Sequence, residues 1–389
     1  MTKHYQVANL FFTISGNGGY YNALTEYFSD KEIEDSQTRS MLDIIVSDNE
    51  DEGYSPDYFS LAGSVSFNKT SFRVKKKRFS YIVSDLFDVE KTTRVVLIPK
   101  KFSKLFQGAM ALGGGVVGEH SKYGVFTHDV ANYSCLWYIF AMTLMKYDQL
   151  FIHCGMMSKE ADNEGIILTG TGGCGKTSIM MELITNSGYR YMAEDFGIVD
   201  KSGDLYDMQK KAAIYQTDVK WGNRYLKKAV SNLPFTQRLE WGLKKAAHRN
   251  PVHFFKPIEI FGNEVQNHSK LKKIFYLKRA QKGTEIQCRT LTSEQVAERA
   301  KTASFRELKE LYEILGNIRA VGGDKYYDSY PSLFTIERKY KEILLSSLNG
   351  VDCKELEVPL NVKPKDTVKY IVFYGPHNVT TGAHTDTLV

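Results

Sequence analysis

The chain has 389 residues, of which 42% are hydrophobic and 25% charged, values typical of a globular protein with two or three domains and a large core. A net charge of +6 is small for this length and argues against a dedicated nucleic-acid-binding protein. The five cysteines are scattered and form no C-x-x-C pair, which favours free thiols over disulfides or a zinc site. We therefore expect a cytoplasmic protein.

Residues 1–125 are expected to form a β-rich N-terminal module, without a signal peptide, because the first residues lead into an alternating segment. Its strand-like runs are Val7–Ile14, Leu42–Val46, Phe79–Val83 and Arg94–Ile98. The basic run Arg73–Arg78 is typical of a solvated strand edge or loop rather than a nucleic-acid site. A small helix near Phe102–Leu112 and a turn at Gly113–Gly115 are expected after these strands.

The most hydrophobic stretch, Cys135–Met145, is shorter than the about 20 residues that cross a bilayer, so we expect a buried helix and no membrane contact. An apolar strand, Leu150–Met157, comes next and carries His153. A histidine in an apolar strand is usually a satisfied core residue, and that interpretation competes with a functional one here. A linker of turn-forming residues then leads to the next strand.

The most informative segment is the motif G-x-x-x-x-G-K-T at residues 170–177. A strand-like run, Gly165–Thr169, precedes it, and a helix-like run, Ser178–Ile184, follows it. Glycines allow a tight turn whose backbone N–H groups point at one anion, and the helix N-terminus adds partial positive charge. The motif predicts a nucleoside triphosphate site, with Lys176 on the β- and γ-phosphates and the Thr177 hydroxyl on Mg²⁺. The predicted nucleotide-binding residues are Gly170, Thr171, Gly172, Gly173, Cys174, Gly175, Lys176, Thr177 and Ser178.

Two adjacent carboxylates, Glu194 and Asp195, follow the motif in an apparent strand over residues 189–199, and Gly188 suits the end of the helix before it. Neighbouring side chains of a strand point to opposite faces, so both carboxylates serve one site only if the strand ends beside the phosphates. We expect one of them to hold Mg²⁺ and the other to orient or deprotonate an attacking hydroxyl. The alternative is a solvated polar strand end.

The order of His153, the glycine-rich motif and the carboxylate pair resembles the catalytic core of the bacterial HPr kinase/phosphorylase family. Relatives of that family phosphorylate ribosomally made peptides, and PEP carboxykinase is a more distant one. The family has a His-Gly step and an Asp-Asp pair, where this chain has His153-Cys154-Gly155 and Glu194-Asp195. The likeness covers about residues 150–200. It implies an α/β fold with a P-loop, PEP carboxykinase/HPr kinase-like core over residues 126–290.

The same resemblance implies the roles of individual residues. It places Lys176 on the phosphates and Thr177 on Mg²⁺, and it makes Glu194 or Asp195 the metal ligand and catalytic base, with His153 close to the acceptor. No stretch resembles the family's Pro-Gly-Arg-Asn signature, which serves the reverse reaction, so a unidirectional kinase with a substrate other than HPr is expected. The guanine signature Asn-Lys-x-Asp is missing as well, which favours ATP.

The remaining chain is expected to complete this core and to add a helical region over residues 291–389 with terminal strands. A hairpin turn is expected at Asp200–Asp204 and a core strand at Lys272–Leu277. The basic, aromatic segment Trp221–Asn250 is expected to be helical and either to recognise the acceptor or to form a solvated helix pair. The expected C-terminal elements are helices at Ser293–Ala303, Phe305–Arg319 and Pro331–Leu348, strands at Leu356–Val358 and Tyr370–Tyr374, and a frayed tail at 375–389. Ser293 is the candidate N-cap of the first of these helices.

The sequence thus predicts an ATP- and Mg²⁺-dependent kinase that transfers the γ-phosphoryl group to a hydroxyl. The acceptor is left open between Ser or Thr of a peptide or protein and a small-molecule sugar, nucleoside or metabolite. A nucleotide-sensing regulatory ATPase without an acceptor is the alternative. A nucleic-acid-associated ATPase is disfavoured by the modest charge. The sequence also leaves a homo-oligomer open.

Overall fold

The structure is a computed structural model that describes residues 1–34, 38–49, 52–53, 57–61, 64–76, 79–99, 135–159, 163–208, 212–216, 219, 224–246, 252–281, 283, 285–326 and 329–373. The helix expected near 102–112, the turn at 113–115 and the tail at 375–389 lie outside these residues. The domain boundary near residue 125 lies outside them too, and the division into three domains stays a prediction.

A nine-stranded mixed sheet is built from the first 99 residues. Its strands are β1 Thr2–Val7, β2 Leu10–Gly16, β3 Glu32–Ile33, β4 Leu42–Val46, β5 Phe59–Leu61, β6 Val65–Phe67, β7 Ser71–Lys75, β8 Phe79–Ser84 and β9 Thr93–Pro99. They lie in the order β3-β1-β2-β4-β9-β8-β7-β6-β5, and only β2–β4 and β4–β9 are parallel pairs among the described strands. The expected single strand Val7–Ile14 is wrong: a turn at Ala8, whose φ is +53°, separates β1 from β2.

A second mixed sheet of seven strands carries the candidate site. Its strands are β10 Gln149–Lys159, β11 Glu164–Thr169, β12 Tyr189–Asp200, β13 Asp204–Tyr206, β16 His268–Ala280, β17 Gln287–Thr290 and β18 Asp352–Pro359. A separate two-stranded antiparallel sheet is formed by β14 Ala212–Tyr215 and β15 Val252–Phe255. The order is β11-β10-β12-β13-β16-β18-β17, and β11 also pairs in parallel with β16. Strand β10 therefore lies between β11 and β12 and is buried on both faces, which explains its largely apolar sequence.

Ten α-helices occur among the described residues. They are α1 Gly18–Tyr27, α2 Cys135–Lys146, α3 Lys176–Asn186, α4 Arg224–Ser231, α5 Phe235–Ala246, α6 Pro257–Phe261, α7 Ser293–Glu307, α8 Lys309–Gly322, α9 Leu333–Ser347 and α10 Pro364–Phe373. The second sheet lies between two apolar clusters. One cluster joins it to the first sheet, α2 and helices α7–α9; the other joins it to α3, α10 and the α4–α5 pair. The result is a mixed α/β fold, as predicted.

Two sequence expectations for the C-terminal region are wrong. The segment Tyr370–Tyr374 does not form a strand over its described residues; it ends helix α10, which buries Val368 and Ile371 one turn apart. Helix α7 is capped by Thr292 rather than by Ser293, because the Thr292 hydroxyl accepts the N–H of Gln295. The buried helix expected at Cys135–Met145 is confirmed as α2. No helix in the described ranges is long and apolar enough to span a membrane.

Candidate functional site

The glycine loop, residues 170–175, connects β11 to α3, as the sequence predicted. Gly173 and Gly175 have φ angles of +77° and +96°, which side chains with a Cβ rarely adopt. A methyl group on Gly170 would lie 2.5 Å from the carbonyl oxygen of Leu277, whereas one on Gly172 or Gly173 would meet no described atom within 4 Å. The loop is thus packed tightly against β16 at its start and open at its middle.

Lys176 folds back over the glycine loop instead of extending into solvent. Its Nζ donates to the carbonyl oxygens of Gly170, at 2.9 Å, and Thr171, at 3.3 Å, and lies 2.9 Å from Nε2 of His153. A lysine ammonium has three hydrogens, so these three acceptors satisfy it although the side chain is 8% exposed. The structure therefore brings together Lys176 and His153, which are 23 residues apart in the sequence.

The contact with Lys176 assigns the hydrogen-bonding state of His153. The ammonium can only donate, so Nε2 of His153 must accept, and the ring is the neutral tautomer with its hydrogen on Nδ1. The ring lies edge-on to Phe196, its cross-strand neighbour, with centroids 6.0 Å apart. His153 is buried, but its lone pair faces the glycine loop instead of the apolar core, which separates it from an ordinary core histidine.

The backbone around His153 is anchored by two C-terminal helices, a feature that sequence reasoning missed. The N–H of His153 donates to Oγ of Ser304 on α7, at 3.0 Å. The Tyr340 hydroxyl on α9 lies 2.9 Å from that Oγ and 2.9 Å from the carbonyl oxygen of Phe151. The partners are 151 and 189 residues apart, so no local pattern announces them. These hydrogen bonds hold the backbone of β10 in place at His153.

Glu194 joins the site through the first turn of α3. The Thr177 hydroxyl donates to Oε1 of Glu194 at 2.7 Å. Glu194 pairs across the sheet with Gly155, whose missing side chain leaves room for Met180 of α3, so this stretch of β12 lies close under the helix. Two of the three side chains that the sequence predicted as Mg²⁺ ligands, Thr177 and Glu194, are therefore in direct contact.

Asp195 does not stand at a strand end: the strand predicted over residues 189–199 is confirmed as β12, and Asp195 lies within it. Strand β12 continues to Asp200, because the eleven residues of β10 supply pairing partners along its whole length. The chain adapts by two irregularities: a register shift beside Met157, and a φ of +65° at Asp195. A left-handed residue interrupts the strict alternation of a strand. The side chains of Glu194 and Asp195 can then face the same site although both residues lie within the strand.

Cysteines near the site are not candidates for catalysis. Cys154 is fully buried next to His153, and burial raises the pKa of its thiol to about 12. Such a thiol stays protonated at neutral pH and is a poor nucleophile. Cys174, inside the glycine loop, is also buried and lies 3.9 Å from Nζ of Lys176. Both residues act here as small side chains that fill the space around the loop.

The residues present fit a magnesium ion bound mainly through a nucleotide. Among the described residues, no group of three or more His, Cys, Asp or Glu side chains could hold a metal by itself. Mg²⁺ at phosphate sites usually takes only one or two protein ligands, with waters and phosphate oxygens completing the octahedron. Thr177 and Glu194 offer two adjacent oxygens, and Asp195 follows directly. This donor set suits Mg²⁺–nucleotide and would not suit a structural metal site.

The basic segment expected at residues 221–250 forms helices α4 and α5 within its described part. Its exposed cations are Arg224, Lys227, Lys228, Arg238 and Lys245. Trp241 anchors α5 in the apolar cluster that also holds α3, and its Nε1 donates to Oε1 of Gln216 at 2.6 Å. A role of these helices in acceptor recognition stays a prediction.

No protein-family model matches the sequence, and a search of curated proteins finds no match either.

Proposed function

We propose that the chain is an ATP- and Mg²⁺-dependent kinase that transfers the γ-phosphoryl group to a hydroxyl, as the HPr-kinase-like enzymes do. The observation that carries this proposal is the convergence of Lys176, His153 and Glu194 on the glycine loop. Nζ of Lys176 lies 2.9 Å from Nε2 of His153, and the Thr177 hydroxyl lies 2.7 Å from Glu194. A structural glycine turn would require neither contact.

Nucleotide binding would rearrange Lys176. The carbonyl oxygens of Gly170 and Thr171 hold its ammonium weakly compared with phosphate oxygens, which carry full negative charge. The backbone N–H groups of the loop and the start of α3 would bind the same phosphates. When Lys176 moves to them, the lone pair on Nε2 of His153 is uncovered. His153 is then placed to orient the acceptor hydroxyl, so binding of the first substrate prepares the site for the second.

The two carboxylates take different roles in this proposal. Glu194 contacts Thr177, so it belongs with Thr177 among the magnesium ligands, either directly or through water. Bound Mg²⁺ would neutralise charge on the β- and γ-phosphates. Asp195, set apart by its left-handed backbone, is the catalytic base. The acceptor oxygen attacks the γ-phosphorus, the bond from that phosphorus to the β–γ bridging oxygen breaks, and Asp195 takes the acceptor's proton. The products are ADP and a phosphate ester.

A Ser or Thr hydroxyl of a peptide or protein is the acceptor class that the resemblance supports, and a small-molecule hydroxyl is the competing one. The test is transfer from γ-labelled ATP in the presence of Mg²⁺ to separate pools of Ser/Thr peptides, sugars, nucleosides and metabolites. Products are detected by the mass gain of one phosphate. One productive pool identifies the acceptor class.

Lys176→Met is the decisive variant, and Lys201→Met is its matched control, because Lys201 is an exposed lysine paired with Asp148 at 2.6 Å in a turn of the same sheet. Transfer should vanish in the first variant and persist in the second. ATP hydrolysis that no pool diverts would favour the regulatory ATPase instead. Failure of the wild-type chain to bind ATP would refute both functions.

A further inference from the structure

A guanidinium group packs directly against the glycine loop. A methyl group placed on Gly175 would lie 2.8 Å from Nη2 of Arg279 and 3.5 Å from its Cζ. Arg279 stands one residue before the end of β16, and β16 pairs in parallel with β11, Tyr276 opposite Thr169. The last residues of β16 therefore run beside the loop that leaves β11. The position of Arg279 at the loop follows from backbone pairing.

The orientation of the guanidinium is fixed as well. Nη1 of Arg279 donates to the carbonyl oxygen of Pro359, the last residue of β18, at 3.2 Å. This bond uses Nη1, and Nη2 is the guanidinium atom nearest the glycine loop. Unlike Lys176, whose flexible stem folds onto loop carbonyls, Arg279 is held in place by the neighbouring strand.

Charge balance around Arg279 is unusual for a half-buried cation. Across the described ranges, no Asp or Glu oxygen lies within 4 Å of its guanidinium, whereas the adjacent Lys278 pairs with Glu357 at 3.0 Å. An arginine keeps its charge at every physiological pH, and its planar fork matches the geometry of phosphate oxygens. A fixed cation next to an anion-binding loop has a bound phosphate as its natural counter-charge.

We propose that Arg279 is a phosphate-binding residue of the glycine-loop site, contacting the phosphate chain of the nucleotide through Nη2. This inference rests on the proposed function, since it requires a nucleotide at the loop. It adds a second, pre-positioned cation to the mobile Lys176. Arg279 lies outside the strand expected at Lys272–Leu277, which ends three residues before the end of β16. Its signal is a cation near the end of a strand that pairs with β11, the strand before the glycine loop.

The test compares Arg279→Met, which keeps the length of the side chain and removes its charge, with Lys278→Met, which removes the neighbouring charge. Binding of Mg²⁺–ATP, pyrophosphate and adenosine to the full chain is measured by calorimetry at two salt concentrations. Loss of one charge-assisted contact should weaken binding of Mg²⁺–ATP and pyrophosphate by about tenfold to a hundredfold. Adenosine binding should not change, and Lys278→Met should match the wild type.

A purely structural role of Arg279 would give a different result. Loss of the bond to Pro359 alone would lower the melting temperature and weaken all three ligands alike, which would overturn the proposal. Unchanged Mg²⁺–ATP and pyrophosphate affinity in Arg279→Met would also overturn it, while leaving the kinase proposal intact. A wild-type chain that binds neither phosphate probe would overturn both. Partial recovery in Arg279→Lys, which restores the charge without the fork, would support it.

Discussion

Asp195 has the site's clearest backbone strain. A φ of +65° costs most residues with a Cβ about 1–2 kcal/mol; glycine avoids this cost, and aspartate tolerates the conformation better than alanine does. We predict that Asp195→Gly is more stable than Asp195→Ala by about 1 kcal/mol, although both remove the same carboxylate. Urea unfolding of the two variants measures the difference. Ala193→Gly in the same strand is the control and should be destabilising; the same sign at both positions would contradict strain at Asp195.

The bond between Thr177 and Glu194 gives a prediction about magnesium. Thr177→Val keeps the shape of the side chain and removes the hydroxyl, whereas Thr177→Ser keeps the hydroxyl. We expect the valine variant to need about tenfold or more Mg²⁺ for half-maximal transfer, and the serine variant to resemble the wild type. Binding of ATP without Mg²⁺ should be the same in all three proteins. An unchanged magnesium titration in Thr177→Val would remove Thr177 from the metal ligands.

At the scale of elements, helix α7 supports strand β10 through Ser304. Replacing Ser304 with alanine leaves the buried N–H of His153 without its described acceptor, which should lower the free energy of unfolding by about 1–3 kcal/mol. Thr302→Ala is the control on the same helix, because Thr302 is exposed and bonds only within α7, to the carbonyl oxygen of Glu298. Urea unfolding curves check the prediction. Equal stability of the two variants would show that α7 does not support His153.

Secondary-structure elements could be predicted where the local sequence determines their type and position. The order strand, glycine loop, helix could be predicted because the motif itself requires left-handed glycines and a helix start. Strand β12 was also predicted to within one residue, but the left-handed backbone at Asp195 could not be, since it follows from pairing with β10. Helix α10 was mistaken for a strand because its run of Ile371 and Val372 is β-branched, while packing of its buried face against α3 decided for a helix.

At the scale of the molecule, the two sheets share one apolar cluster. Polar contacts also link the first sheet to the C-terminal part of the chain. The Tyr138 hydroxyl donates to that of Tyr81, which donates to Oε1 of Glu310 at 2.7 Å. The Tyr330 hydroxyl lies 2.8 Å from the carbonyl oxygens of both Asn68 and Ser71. Tyr81 and Glu310 are 229 residues apart. A division of the sequence into successive regions cannot predict such contacts, since composition carries no information about which distant surfaces meet.

The two apolar clusters bury several tyrosine hydroxyl and cysteine thiol groups, so the free energy of unfolding should depend on pH in the alkaline range. Burial raises the pKa of Cys353 to about 11 and those of Cys154 and Tyr189 to about 12. The folded chain keeps these protons after the unfolded chain loses them, at about pH 9 for cysteine and about pH 10 for tyrosine. Each group stabilises the fold fully below its unfolded pKa, and that stabilisation is lost as the pH rises to the folded value.

One buried base acts in the opposite direction. Burial lowers the pKa of Lys146 to about 8, so stability gains from this group between about pH 8 and about pH 10.5. Above about pH 9 the two cysteines outweigh Lys146, so the free energy of unfolding falls. Above about pH 10 Tyr189 adds to this fall. We therefore predict a free energy of unfolding that falls from about pH 9 to about pH 12, most steeply between about pH 10.5 and about pH 11, by up to about 1.4 kcal/mol per pH unit for each net group. Urea unfolding across this range measures it, and Tyr189→Phe should flatten the curve above about pH 10. A flat or rising curve in the wild-type chain would mean that these side chains are not buried as the fold requires.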